Sequence, residues 1–320
     1  MNMDNSFVNI VDLSNEMLFY IFKKLNNFDV LYSMVGVNEK LDNVACDRTF
    51  TQSIDLTSIS SNEKDNSKTN AILDRFCLHI LPRIHDNIEC LTVDACFLKR
   101  ILYEDCPFIL NFRYQISELI ITIDYEVLNV SMLNLLIDIY HRIFLLLSNL
   151  NTCLSSSITN LRIKLHNFDD CLCLLDGRLN QLHTFIVKLE YIHDPSLLRR
   201  TPSEIIHNSS ILLNNTKNLV KLKCFSLFVY LATSEFDNLV APLLRRMLHL
   251  EKLTLSLRLS QRTSFIDGTH LENSFLRQLS NLHTLIFDIV TEHVNINGQT
   301  DIDYTIDFSD KEFIPLYYTT

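Results

Sequence analysis

One pattern returns along most of this chain: an apolar residue, two others, then apolar residues alternating at period two. It reads "IECLTV" at 88–93, "ISELIITI" at 116–123, "ITNLRIKL" at 158–165 and "LHTFIVKL" at 182–189. It continues as "LVKLKC" at 219–224, "LEKLTLSL" at 250–257 and "LHTLIFDI" at 282–289, with an earlier copy at "FTQSIDLT", 50–57. Period-two alternation belongs to a strand with one face in a core. The anchors Leu91, Leu119, Leu161, Phe185, Leu222, Leu253 and Leu285 are spaced 28, 42, 24, 37, 31 and 32 residues apart. Helical stretches at 69–82, 131–148 and 236–249 fall between the strands. A strand–helix unit of this size cannot bury its apolar face alone, so it stacks on its neighbours. The spacing predicts an α/β protein with an irregular strand–helix solenoid and a parallel sheet over residues 51–290. "LNQLHTFIVKL" and "LSNLHTLIFDI" read as copies, which puts His183 and His283 at one repeat position.

Composition removes several function classes. The 320 residues include four glycines, Gly36, Gly177, Gly268 and Gly298, far below the usual roughly 7%. They stand too far apart to build a phosphate-cradling loop, which needs positive φ or close backbone approach. A net charge of −10 argues against a nucleic-acid coat protein. The nine cysteines are scattered without a Cys-x-x-Cys pair, as expected of free thiols in a reducing, cytoplasmic or nuclear compartment. The N-terminus lacks a basic region followed by an apolar run, so no secretory signal is expected. Cys171 and Cys173 have poor spacing for zinc, and no second pair follows. No nucleophile elbow, Ser–His–Asp signature or zinc-helix motif occurs. These readings predict a non-enzymatic protein with no catalytic residue, cofactor or metal. The most apolar run, "MLNLLIDIYHRIFLLLSNL" at 132–150, holds Asp138, His141 and Arg142. A buried or amphipathic helix is expected there rather than a membrane span.

The front of the chain is organised differently. Ser14 can cap a helix whose first turn holds Glu16, where the dipole favours a carboxylate. Met17, Leu18, Ile21, Phe22 and Leu25 follow helical spacing. "NNFD" breaks this helix, and Asp29 can cap a second carrying Val30, Leu31, Met34 and Val35. Gly36 ends the second, and Asn38 can cap a third with Leu41, Val44 and Ala45. Helices this short are marginal on their own, so part of their apolar surface is expected to meet another chain.

Taken in that order, these residues resemble an F-box. The family pattern runs leucine–proline–x–glutamate–aliphatic–leucine, a helix ending in leucine, aspartate–leucine, and valine–small–x–x–tryptophan. Leu13, Glu16, Met17, Leu18, Ile21, Leu25, Asp29, Val30, Val37 and Asn38 fall into step with it. Ser14 stands where the family prefers proline, and Leu41 where tryptophan is common. The strand–helix body is similar to a degenerate leucine-rich repeat. The asparagine that usually follows its strand is mostly absent, and Cys96 is the clearest substitute. The resemblance implies an F-box helical domain over 7–50 and a leucine-rich-repeat-like solenoid over 51–290. It further implies a substrate-recognition adaptor of a Skp–cullin–F-box ubiquitin ligase. Leu13, Glu16, Leu18, Ile21, Leu25, Val30, Leu31, Val37 and Leu41 would dock the Skp-type adaptor or support that surface. Through it the chain would reach a cullin and bring substrate lysines near a recruited conjugating enzyme. The competing expectation is a leucine-rich-repeat interaction scaffold unconnected to ubiquitin, whose front helices cap the solenoid.

Strand parity also locates charges. With Leu161, Ile163 and Leu165 inward, Arg162 and Lys164 face outward. The same reasoning exposes Lys188, Lys221, Lys223, Lys252 and Arg258, with Asp94, Asp124 and Asp288 on the outer strands. Charges on an exposed strand face ordinarily serve solvation alone; the functional alternative is that this face binds a protein substrate through an acidic or phosphorylated segment. Residues 291–320 read as an acidic C-terminal cap, in which "DIDYTIDF" alternates acids with Ile302, Tyr304, Ile306 and Phe308.

Overall fold

The computed structural model describes residues 9–57, 66–94, 116–122, 157–165, 167–177, 179–192, 219–262 and 266–293, with 59, 97, 212–214 and 216. The chain divides into two compact units, Met1–His141 and Arg142–Thr320.

The first unit opens with a short 3-10 turn, Ile10–Asp12, then α1 (Asn15–Phe22), α2 (Asn27–Met34), α3 (Glu39–Ala45) and α4 (Arg48–Thr51). Each α-helix begins at a polar cap whose side chain accepts a backbone N–H: Ser14 from Met17, Asn26 from Phe28, Asn38 from Lys40 and Asp47 from Thr49. The predicted caps Ser14 and Asn38 hold. Asp29 does not cap α2; Asn26 does, and Asp29 sits in the first turn, where the dipole still favours its charge. Gly36 follows α2 at φ +82°, and its N–H donates to Asp42 Oδ1 at 2.9 Å. Lys40 Nζ donates to the carbonyls of Val11 and Leu13 at 3.0 and 2.6 Å, fastening α3 to the segment before α1.

The rest of this unit is β1 (Ser53–Asp55), α5 (Asn66–Arg75), β2 (Cys90–Asp94) and β3 (Glu118–Thr122). Helix α5 runs on through a π turn, Phe76–Ile80, into Leu81–Ile84. Leu81 N–H there reaches back to Phe76 O. Pro82 explains the widened turn: its ring would collide with the carbonyl four residues back in α geometry. The front helices pack directly on this body. Phe28 and Phe76 lie 5.8 Å apart, and Asn27 Nδ2 donates to Ser53 O, while within the front helices Phe22 and Phe50 meet edge-on at 6.1 Å. Strands β1, β2 and β3 pair in parallel in that order.

The second unit contains β4 (Asn160–Leu165), α6 (Phe168–Leu174), β5 (Thr184–Leu189), β6 (Cys224–Val229), α7 (Ala241–Leu244), β7 (Lys252–Arg262), α8 (Gly268–Ser274) and β8 (Thr284–His293). A π turn, Phe236–Val240, leads into α7 just before Pro242, repeating the device of α5. Strands β4 to β8 pair in parallel in sequence order, ending at β8. Their inward residues align in rows. Leu161, Phe185, Phe225, Leu253 and Leu285 form one, and Ile163, Val187, Leu227, Leu255 and Phe287 the next. These positions are sealed in β4 to β7 but only half-buried in β8.

One backbone motif marks the start of each repeat. In the second unit, the carbonyls of Thr159, His183, Lys223 and Glu251 each accept two successive N–H groups from the next strand's first residues. Gln52 and Glu89 do the same in the first unit. His183 and His283 therefore are repeat equivalents, as their sequence context suggests. The predicted strand at 219–224 is corrected: β6 begins at Cys224, and Phe225, not Leu222, joins the inward row. Leu222 closes the turn before the strand, its N–H bonded to Leu219 O, as Leu182, Leu250 and Leu282 do in theirs. The helix expected at 131–148, Asp124, Cys96 and the "DIDYTIDF" segment lie outside the described residues.

Candidate functional site

Helix α1 is apolar on two sides. Leu18 and Phe22 are fully buried, and Phe19 stacks on Phe50 with ring centroids 5.5 Å apart. On the opposite side Met17 is 51% exposed, Tyr20 65% and Leu25, just past the helix, 47%. With half-buried Ile21 these residues repeat at three- and four-residue spacing, so they share one face. Lys24 Nζ stands 5.2 Å from the Tyr20 ring centre. Glu16 is exposed beside this stripe, and the Ser14 hydroxyl holds its carboxyl below the usual carboxylate range. Val37, after α2, is 62% exposed.

The predicted adaptor-facing residues thus divide. Glu16, Leu25 and Val37 are exposed, Leu13 and Ile21 half-buried, while Leu18, Val30, Leu31 and Leu41 lie in the core. The last four are buried and shape the front helices from within. Tyr20 was not among the predicted site residues, yet it is the most exposed aromatic of α1.

The outward face of the second unit's sheet carries its charges in register. Lys164 of β4 pairs with Lys188 of β5, which pairs with Phe228 of β6; Ser256 and Asp288 complete the row. Arg162, Ile186, Ser226 and Thr254 form the row before it. Tyr230 follows β6, and its ring centre lies 5.5 Å from Lys164 Nζ, passing over the intervening β5. Arg162 and Lys188 are exposed, and Arg258 is half-buried. Two predicted members belong elsewhere. Lys221 and Lys223 occupy the turn before β6, because that strand starts later than its first alternating residues suggest. Lys221 bonds Gln181, and Lys223 Nζ meets Glu251 at 2.8 Å. Lys252 opens β7 on an exposed position. Asp94 is not an exposed end of this face; it is 7% exposed, in the first unit.

Two concavities accompany these surfaces. One, about 390 Å³, lies between Val35–Gly36 and the Arg75–Arg83 stretch. Its guanidinium groups are engaged within the chain: Arg75 donates to Val35 O at 3.1 Å and lies over Tyr32, and Arg83 pairs with Asp42. The other, about 280 Å³, sits at the turns before β5 and β6, beside Leu179 and Val220. Cys171 is fully buried in α6, and burial pushes its thiol upward, which makes it an inert core residue. Asp170 beside it is raised to about 7 by burial, although the Asn167 backbone opposes the shift. Among the described residues no group of three or more His, Cys, Asp or Glu side chains is placed to hold a metal ion. No described helix is long and apolar enough to cross a membrane.

The chain matches no protein-family model and no curated protein.

Proposed function

We propose that this chain is a substrate-recognition adaptor of a Skp–cullin–F-box ubiquitin ligase. The observation that carries the reading is the solvent-facing stripe of Met17, Tyr20 and Leu25 on a helix whose other face is already packed. A helix apolar all round is ordinarily buried all round, so this stripe invites a second protein. The order and spacing of the helices around it follow the F-box pattern. In this reading a Skp-type adaptor covers the stripe and links the chain to a cullin. The second unit, an irregular leucine-rich-repeat-like array, holds the substrate. The chain contributes proximity rather than chemistry.

Co-purification with a Skp-type adaptor tests this directly. The full chain should form a one-to-one complex, and Met17→Asp with Leu25→Asp should abolish it while leaving the chain folded. A folded wild-type chain that captures no adaptor refutes the proposal.

A specific observation favours the second reading, a repeat scaffold outside ubiquitin chemistry. Phe28–Phe76 and the Asn27 bond to Ser53 O tie the front helices into the body, as a capping element would be tied. Deleting residues 9–50 should therefore cost the body solubility under either reading. The exposed-face substitutions separate the two.

A further inference from the structure

We infer that residues 299–308 fold back along the outer edge of β8 as an antiparallel strand and close the core rows of the second unit. The inference is independent of the adaptor reading. Its first observation is the state of β8. Among the described strands β8 is the last of the sheet and pairs only with β7. Leu285, Phe287 and Ile289 continue the sealed inward rows of β5, β6 and β7, yet are themselves only half-buried. Val290, on the outward face, is 40% exposed. A long edge strand with an apolar face is a template for another strand.

The second observation is the sequence that follows β8, which ends at His293. Residues 294–308 lie outside the described residues and read "VNINGQTDIDYTIDF". Asn297–Gly298 between alternating residues is the strongest short signal for a two-residue hairpin, because both turn positions take positive φ. Residues 294–301 are too few for a parallel crossover, which takes about a dozen or more. With Asn297 and Gly298 at the turn, Ile296 pairs with Gln299, and every later pair is set. Ile306 then faces Ile289, Phe308 faces Phe287 and Tyr304 faces Thr291.

Directly opposed residues share a face of the sheet. Ile302, Tyr304, Ile306 and Phe308 therefore all join the inward side, over the half-covered row. Asp301, Asp303 and Asp307 all take the outward side, and Thr305 lies opposite the exposed Val290. A slip of one residue would send the three acids inward instead. The parity of β8 is set by its pairing with β7, and that of the returning segment by the place of one glycine, and the two agree. Attachment through a two-residue turn gives this segment a local concentration at the edge that a second copy does not match. Its acids then face outward on the new edge, where charge discourages a further strand. Asp307 faces Asp288, a like-charge pair that holds closure below its full strength.

Cysteine pairing on the full chain tests the register. Ile289 and Ile306 form a non-hydrogen-bonded pair, with Cα atoms about 4.5 Å apart, within the span of a disulfide. Ile289→Cys with Ile306→Cys should link within one chain under oxidised glutathione, read as a joined peptide by mass spectrometry. Ile289→Cys with Thr305→Cys, one residue out of register, should link about tenfold less. Hydrogen exchange reads the same closure without new cysteines. Peptides from 299–308 should exchange about tenfold slower in the wild type than in Ile306→Asp with Phe308→Asp. Asp307→Lys should slow them further, since it replaces a repulsion with an attraction. Absence of the 289–306 link overturns the proposal, as does equal linkage of the Thr305 pair. Linkage between two chains overturns it in favour of a second copy at this edge. Wild-type exchange of 299–308 at the rate of the Ile306→Asp, Phe308→Asp variant also overturns it.

Discussion

Tyr20→Asp separates the two faces of α1. Tyr20 is 65% exposed, so it retains roughly a third of the ~1.5–3 kcal/mol that complete burial of a large apolar side chain contributes. That is a loss of about 0.5–1 kcal/mol. Tyrosine and aspartate differ little in helix propensity. The substitution forfeits the Lys24 contact with the ring, but its carboxylate stands four residues before Lys24, and such pairs stabilise by about 0.3–0.5 kcal/mol. The net loss should stay below about 1.5 kcal/mol, a modest shift of the thermal midpoint. Phe22→Ala, on the packed face, should cost about 3–5 kcal/mol, because Phe22 is fully buried and touches Phe50. Binding should respond in the opposite order. An aromatic anchor at the centre of an interface typically accounts for about 2 kcal/mol or more, so Tyr20→Asp should weaken adaptor binding about thirtyfold. Calorimetric unfolding and adaptor titration on the same samples read both quantities. A stability loss above about 2 kcal/mol would show that the chain itself covers the stripe. A stable variant with unchanged adaptor affinity would remove α1 from the docking surface.

Three further outcomes follow from local geometry. Asp170 has a folded-state value raised from the ordinary 3.8 to about 7, so the unfolded chain ionises first as pH rises. Stability should fall between about pH 4 and pH 7 and level off above, and Asp170→Asn should flatten that slope and raise the midpoint at pH 8. An unchanged slope in the variant would assign the pH dependence elsewhere. Gly36→Ala should destabilise by about 1–2 kcal/mol, since φ is +82° while a Cβ would meet nothing within 4 Å. Denaturant midpoints check this, and a neutral result would mean the turn relaxes. Asn38→Ala removes the side chain that accepts Lys40 N–H at 2.8 Å and should cost about 1 kcal/mol, read as a midpoint shift that Asn38→Asp largely avoids.

Strands were legible wherever a single alternation exists. At β4, β5 and β7 the apolar set has one parity, and the pairing follows it. "LVKLKCFSLFV" contains two alternating sets in succession, and periodicity alone does not choose between them. Comparison with the turns ending at Leu182, Leu250 and Leu282 does choose, because Leu222 closes the same turn. That shift moved Lys221 and Lys223 off the sheet face. "NNFD" similarly offers several polar residues within one turn, and the one that caps depends on where the α1 chain end delivers the backbone. At the front helices, apolar spacing located α1 but did not tell its packed side from its exposed side. Leu18 and Met17 are both apolar, and only the position of Phe50 and the body decides which is enclosed. The signal that was present is the width of the apolar surface: Met17, Tyr20, Ile21 and Leu25 form a second stripe beyond Leu18 and Phe22.

The half-open state of β8 has a consequence for cooperativity. Leu285, Phe287 and Ile289 occupy the rows that are sealed in β5, β6 and β7, yet remain partly in water. In a stacked array, each repeat is held by its neighbours, and among the described strands β8 is paired on one side only. Opening should therefore propagate from β8 toward β6. Amide protons of β8 should exchange with deuterium before those of β6, and mild protease should trim this end while the Phe185–Phe225 layer stays protected.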